Sequence, residues 1–273
     1  MAHIIVPEAE ELLDKEFKVL DHGFVRLVDY LGGDARIVQA ARVSYGPGTK
    51  TLREDRLLID YLMQNRHTSP FEQVVLTFHA KMPIFVARQW VRHRTARINE
   101  ISGRYSVMSN EFYLPREEDI RFQSRRDRQG RSPEAVPPEL RQKVLDLLLR
   151  GQEAAYETYE KLIEDNIARE LARINLPLSL YTEWYWQIDL HNLFHFLELR
   201  LDWHAQKEIR AYAEAMAPIA KAVAPMAYEA FEEYVLYAAH LSRSQVTMLR
   251  EALAKAHPEL LKELGLDNAP LES

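Results

Sequence analysis

The feature that most constrains the fold is a small set of β-rich segments interrupted by helical ones. β-Branched, aromatic or alternating side chains predict strands at residues 23–29, 74–80 and 180–188. Apolar residues at helical spacing predict helices at residues 35–42, 139–165, 190–201 and 205–222. Because few strands are scattered among many helices and no internal repeat is present, the pattern predicts a single α+β domain.

Local signals predict several element boundaries. Asp34 is expected to cap the helix at residues 35–42. Thr51 is expected to cap a further helix that follows it in the sequence. Ser69, Pro70 and Glu72 resemble an N-cap, a first-turn proline and a capping-box glutamate, so a short helix is expected to begin there. The helix after Thr51 is expected to present one apolar face, formed by Leu57, Leu58, Tyr61 and Leu62.

The middle of the chain contains two segments without clear periodicity. Pro83 is expected to open a helix that frays near His93, which leaves residues 95–103 as a loop. Residues 114–138 are irregular and include the basic run 121–131. A segment of this length is typical of a lid over a site and also of a solvated loop, and the sequence leaves both possibilities open.

Composition excludes several classes of protein. The chain has 273 residues and 47% hydrophobic content, enough for one sizeable core or two small ones. No apolar run approaches the roughly 18 to 20 residues of a membrane span, and no secretory signal is visible, so a cytoplasmic protein without a membrane partner is expected. The lack of cysteine excludes disulfides, thiolate metal sites and cysteine nucleophiles.

Positive charge is concentrated, although the net charge is −6 and argues against a general nucleic-acid binder. Residues 88–105 and residues 121–131 each contain five arginines and one acidic residue. In the first stretch every cation except histidine is a guanidinium, the planar donor that suits phosphate and carboxylate. Neighbouring residues add stacking surface, neutral hydrogen-bond donors and a flexible turn. They are Trp90, Asn99, Ser102, Gly103 and Tyr105. The stretch therefore predicts a pocket for an anionic ligand with a planar ring.

The same arginine and aromatic content would also suit a non-catalytic nucleotide- or RNA-binding module. The net charge and the scarcity of lysine oppose this alternative, so no nucleic-acid partner is predicted. Salt-dependent binding of a generic oligonucleotide would distinguish the module from a small-ligand enzyme.

Three further side chains invite a functional interpretation. His191 and His195 stand four residues apart on a predicted helix and could ligate a metal. No carboxylate partner is placed beside them, so a polar face lining a pocket is favoured and no metal site is predicted. Arg173 lies in an apolar stretch and needs an anion, which is either an acidic side chain or a ligand.

Residues 92–105 match a longer motif that points to one protein family. They resemble the signature of flavin-dependent thymidylate synthases, R-H-R-x-x-S-x-N-x-x-S-x-R-Y, except that Arg97 stands where the family has serine. The matching positions are Arg92, His93, Arg94, Asn99, Ser102, Arg104 and Tyr105.

The resemblance implies an activity and an assembly. The family converts dUMP to dTMP with 5,10-methylenetetrahydrofolate as carbon donor and NADPH-reduced FAD as hydride source. It needs no cysteine nucleophile, which agrees with the composition of this chain. The implied fold is a small mixed or antiparallel sheet flanked by several long helices, in a homotetramer with active sites at subunit interfaces.

The resemblance also implies site residues. Arg200 is assigned the catalytic role of stabilising negative charge on the pyrimidine. The dUMP site is expected at Gln89, Trp90, Val91, Arg92, Glu100, Ile101, Ser102, Gly103, Arg104, Arg173 and Arg200. FAD is expected at Ser69, Arg92, His93, Arg94, Glu100, Asp189, Leu190, His191 and His195. Asp189 and His191 stand where the family has asparagine and arginine.

The predicted domain organisation is one catalytic domain over residues 1–273. Its core is expected at about 23–231, with a basic loop at about 117–136 and a C-terminal helical extension at about 240–273.

Overall fold

The computed structural model describes residues 4–44, 51–125 and 129–267. It divides into two compact units, Met1–Phe231 and Glu232–Ser273. The division falls where the predicted core ends. That the second unit is an extension of one catalytic domain stays a prediction.

A five-stranded antiparallel sheet forms the centre of the first unit, with strand order β1-β2-β3-β7-β4. A separate two-stranded hairpin is formed by β5 and β6. The strands are β1 (Glu16–Val19), β2 (Gly23–Leu31), β3 (Val75–Pro83), β4 (Arg97–Glu100), β5 (Arg121–Gln123), β6 (Arg131–Ala135) and β7 (Tyr181–Asp189).

Helices surround this sheet in the first unit. They are α1 (Pro7–Glu10), α2 (Asp34–Ala41), α3 (Leu52–Gln64), α4 (Ile84–Trp90), α5 (Pro138–Glu164), α6 (Arg169–Ala172), α7 (Leu190–Leu201), α8 (Lys207–Val223) and α9 (Pro225–Phe231). The second unit contains a π-helical turn (Glu232–Leu236), α10 (Arg243–Ala256) and α11 (Pro258–Glu263). Within the described ranges, no helix combines the length and the apolar character that crossing a bilayer requires.

An aromatic cluster holds α4, β7 and α7 together. The Trp90 ring packs edge-on against Trp184 and Trp186 and stacks on Phe196, with centroid separations of 5.2 to 5.3 Å. Aromatic contacts of this kind add to the apolar area that each ring buries. Because the Trp90 side chain is 0% exposed, the prediction that it offers stacking surface to a ligand is wrong.

The predicted α+β fold with a small antiparallel sheet is confirmed, and so is the Thr51 cap, which forms a capping box with Glu54. The predicted cap at Asp34 is wrong. Its carboxylate accepts hydrogen bonds from the backbone N–H groups of Met226 and Ala227, at 2.8 and 3.0 Å. Asp34 therefore ties the start of α9 to α2 instead of capping its own helix.

The predicted apolar face of α3 is half wrong. Leu57 and Tyr61 are 60% and 55% exposed, whereas Ile59 and Leu62 are buried. The expected helix at Ser69 is only a 3-10 turn over Phe71–Gln73, and no side chain caps it.

Two segments predicted as loops contain strands. Four residues of the expected loop 95–103 form β4 and pair with β7. The expected irregular segment 114–138 contains the β5–β6 hairpin, called below the basic hairpin (residues 121–135), although residues 126–128 lie outside the described ranges. Strands this short carry too few residues for a period of two to be recognised.

Candidate active site

Two clefts meet at Arg200. The first, called the His93 cleft, has a volume of about 690 Å³, and the second, called the hairpin cleft, has about 710 Å³. The His93 cleft is lined by Val91, Arg92, His93, Arg94, Thr95, Ile188, Asn192, His195, Leu199 and Arg200. The hairpin cleft joins Gln89 and Arg200 to the basic hairpin and to the chain between α7 and α8. Both volumes lie within the range of small-molecule sites.

The His93 ring is held between Arg200 and the aromatic cluster. Its edge packs on Phe196 at a centroid separation of 4.9 Å, and its Nε2 accepts a hydrogen bond from Arg200 Nε at 3.0 Å. Burial lowers the pKa of His93 to about 4, and the charges of Arg200 and His195 add to the effect. The imidazole is therefore neutral at pH 7. Because Nε2 is the acceptor, its proton lies on Nδ1.

Arg200 is a half-buried cation near the end of α7. Burial lowers its pKa, and among the described residues it forms no ion pair with a carboxylate. Its Nε donates to His93, and the Arg200 side chain lines both clefts. A guanidinium in this state attracts an anion or a carbonyl oxygen.

Ion pairs build the wall of the hairpin cleft. Arg131 of the basic hairpin donates to the buried carboxylate of Glu208 at 2.5 Å. Lys207, one residue earlier, pairs with Asp119. The first contact fixes the hairpin against the first turn of α8, and the second fixes the segment just before the hairpin. The basic side chains of the hairpin therefore belong to the cleft wall. The cleft is lined by Gln89, Arg121, Phe122, Gln123, Gln129, Gly130, Arg131, Arg200, Trp203, His204, Ala205, Gln206, Lys207 and Arg210.

Other residues predicted for dUMP form a separate cluster. Residues 100–104 and Arg173 line neither cleft. Gly103 is buried and packs closely against Arg173. A Cβ atom added at Gly103 would lie 3.0 Å from Cδ of Arg173. Glu100 Oε1 accepts a hydrogen bond from Thr182 at 2.7 Å. Within one chain, the predicted nucleotide residues therefore occupy two places.

Several residues predicted for FAD also lie outside both clefts. Ser69 is exposed, and the Leu190 side chain is fully buried. The Asp189 carboxylate caps α7, because it accepts hydrogen bonds from the backbone and the side chain of Asn192. For Leu190, only main-chain atoms could reach a ligand.

Some lining residues were missed by sequence reasoning. Asn192 enters the His93 cleft and stands three residues after Asp189, a cap spacing that could have drawn attention to it. Arg131 was predicted only as part of the basic run 121–131, and Gln206 was given no role in the predicted sites. Their distant partners, Glu208 and Gln89, are visible only in the fold. Nowhere in the described ranges do three or more His, Asp or Glu side chains form a group that could hold a metal ion.

Comparison with known proteins identifies the family. Residues 26–226 match the family model described as thymidylate synthase complementing protein. A flavin-dependent thymidylate synthase of Treponema denticola is 62% identical over 96% of this chain and 98% of its own length. One from Thermus thermophilus is 57% identical over 93% of this chain and 92% of its own. The chain belongs to the flavin-dependent thymidylate synthase family.

A solved structure agrees with this assignment. The UMP/dUMP methylase PolB of Streptomyces cacaoi, bound with 5-Br dUMP, matches with a TM-score of 0.73 and 34% identity. The match covers 81% of this chain and 99% of the PolB chain. The predicted family, fold and enzyme class are confirmed, and the enzyme is favoured over the nucleotide- or RNA-binding module.

Proposed function

We propose that this chain converts dUMP to dTMP, with 5,10-methylenetetrahydrofolate as carbon donor and NADPH as the reductant of bound FAD. The observation that carries the proposal is Arg200, a half-buried cation without a carboxylate partner that lies between two clefts and is held by a neutral His93. No other cation described combines these properties with two ligand-sized spaces. We also propose a cytoplasmic enzyme.

The His93 cleft fits FAD. Arg92 and Arg94 supply cations for a diphosphate, and the neutral His93 can lie beside a flat ring without adding charge. Ile188 and Leu199 add apolar surface. When bound, FAD supplies the hydride chemistry that no side chain of this protein can perform.

The hairpin cleft fits the pyrimidine of dUMP. Arg200 and Gln89 line it together and offer a guanidinium and an amide to the edge of a uracil ring. A fixed guanidinium stabilises negative charge as it develops on the pyrimidine, without reorganisation during the reaction. His93 orients that guanidinium through Nε2. Because the chain has no cysteine, activation of the ring rests on this electrostatic contribution.

We further propose a homotetramer with shared active sites. The separate cluster of Gly103, Arg104 and Arg173 would then meet the clefts of a second subunit. Large apolar side chains are exposed around that cluster, a property typical of an interface. They are Ile98, Ile101, Tyr105, Leu171, Ile174 and Leu178.

Two measurements test the reaction. Purified protein should carry or take up FAD, seen as visible absorbance, and dTMP should form from dUMP and methylenetetrahydrofolate when NADPH is supplied. NADPH oxidation with and without dUMP gives the rate. A colourless protein that does not take up added FAD would refute the proposal.

Subunit mixing tests the shared sites. Arg200→Ala and Arg173→Ala proteins should each be inactive alone. Co-expressed, they should recover part of the activity, because some sites combine an intact Arg200 with an intact Arg173. Inactive mixtures, or a monomer by light scattering, would contradict the shared site.

A further inference from the structure

A buried carboxylate stands behind the hairpin cleft and receives three hydrogen bonds. Glu208 is 1% exposed and accepts from Arg131 at 2.5 Å, from the Tyr113 hydroxyl at 2.9 Å and from Gln206 Nε2 at 2.7 Å. Burial alone would raise the pKa of Glu208. The hydrogen bond and charge of Arg131, together with Gln206, instead hold this pKa below its usual value. The carboxylate is ionised at pH 7 and can only accept hydrogen bonds.

This carboxylate determines which way the next amide points. Because Glu208 can only accept, the amide nitrogen of Gln206 must face it, which leaves Gln206 Oε1 on the other side. Gln206 Oε1 in turn accepts a hydrogen bond from Gln89 Nε2. The Gln89 amide is therefore fixed with its nitrogen toward Gln206 and its oxygen free to accept a hydrogen bond from a ligand.

We infer that the chain Arg131–Glu208–Gln206–Gln89 sets the specificity of the hairpin cleft for a pyrimidine that carries N–H at ring position 3. Gln89 presents an acceptor to the same cleft in which Arg200 presents donors. The imide edge of uracil has the complementary pattern, an N–H between two carbonyl oxygens. Cytosine has an acceptor at N3 and meets the Gln89 oxygen unfavourably. The inference rests on the proposed use of dUMP.

Glu208, Gln206 and Arg131 are thus positioning residues that act through Gln89. The basic hairpin takes part because it carries Arg131, the counter-charge that keeps Glu208 ionised. The ion pair joins a partly exposed Arg131 to the buried Glu208 and so connects the hairpin to α8.

The test compares dUMP with dCMP on the full-length FAD-loaded protein by calorimetry. Wild type should bind dUMP more tightly than dCMP. Gln206→Met removes the relay at an exposed position and keeps the side-chain length, so the Gln89 amide can turn. The dUMP-to-dCMP affinity ratio should fall about tenfold, which is the scale of one hydrogen bond, while FAD content stays unchanged.

Arg131→Met leaves Glu208 without its counter-charge, so the carboxylate takes up a proton more readily and can donate. The affinity ratio should then fall as pH is lowered from 8 to 6, and Arg131→Lys should restore most of it. Arg125→Met is the matched control, because Arg125 lies in the same hairpin but lines neither cleft. It loses the same charge and should keep the wild-type ratio.

The outcomes separate the two proposals. A wild type that forms no dTMP refutes the proposed function. A wild type that forms dTMP but binds dUMP and dCMP equally overturns the specificity inference, and so does a Gln206→Met protein with the full ratio. If Arg125→Met and Arg131→Met lower the dUMP-to-dCMP affinity ratio equally, the positive charge of the hairpin as a whole is responsible. That result would also overturn the specificity inference.

Discussion

The two clefts on either side of Arg200 are built by different forces. The wall of the His93 cleft rests on the aromatic cluster around Trp90, where α4, β7 and α7 meet. The wall of the hairpin cleft rests on charged contacts, chiefly Arg131 with Glu208 and Lys207 with Asp119. Apolar packing holds a wall with little dependence on pH or salt, whereas ion pairs depend on both. The hairpin side is therefore the side of this enzyme that solution conditions can alter.

Replacing the residue shared by both clefts should have the largest effect. Arg200→Ala is expected to lower kcat by about 10² to 10³, the usual cost of one transition-state donor, while FAD stays bound through Arg92 and Arg94. Turnover of dUMP and the flavin absorbance measure the two effects. Arg56→Ala is the control, because Arg56 pairs with Glu229 outside both clefts and should leave turnover unchanged. Wild-type turnover by Arg200→Ala would refute the catalytic role.

A substitution in only one cleft should weaken the binding of only one of the two ligands. Arg94→Ala is expected to weaken FAD binding about tenfold with little change in dUMP affinity, because it removes a cation from the His93 cleft. Gln89→Leu should weaken dUMP binding about tenfold and leave FAD content intact. Calorimetry with each ligand measures both. Equal losses of both affinities in either variant would mean that the clefts are not separate sites.

The aromatic cluster that supports the His93 cleft should contribute to the free energy of unfolding. Trp90→Phe is expected to lower the free energy of unfolding by about 1–2 kcal/mol, less than the 3–5 kcal/mol typical of truncation to alanine. Its Nε1 has no hydrogen-bond partner among the described residues, so the loss is one of volume. Denaturant unfolding gives the value. Trp203→Phe, at an exposed position, should change it by less than about 0.5 kcal/mol, and equal losses would contradict a core role for Trp90.

A further expected effect concerns pH. The pKa of His93 is about 4 in the folded protein and about 6.5 in the unfolded chain. Above pH 6.5 both states hold the neutral ring. As pH falls from 6.5 toward 4, the unfolded chain takes up the proton first, so wild type loses stability relative to His93→Gln. Unfolding curves of both proteins between pH 4 and 7 measure this, and a pH-independent difference would show that His93 is not held neutral.

Some of these features follow from the sequence alone. The helix Leu190–Leu201 and the strand before it were predicted within a residue or two, because their patterns are local. The Thr51 cap is equally local, since the capping box involves residues three apart. The arginines of residues 88–105 predicted an anion site without any knowledge of the fold.

The tertiary structure decided which of these side chains meet. Arg200 and His93 are 107 residues apart in the chain, and Arg131 and Glu208 are 77 apart. Trp90 lies between arginines in the sequence but in the core of the fold, because α4 turns it toward β7. Hydrogen-bond spacing and hydrophobic periodicity act over a few residues and determine the elements. Strand register and helix packing act over the whole chain, and they alone bring a half-buried arginine, a neutral histidine and a buried glutamate to one place.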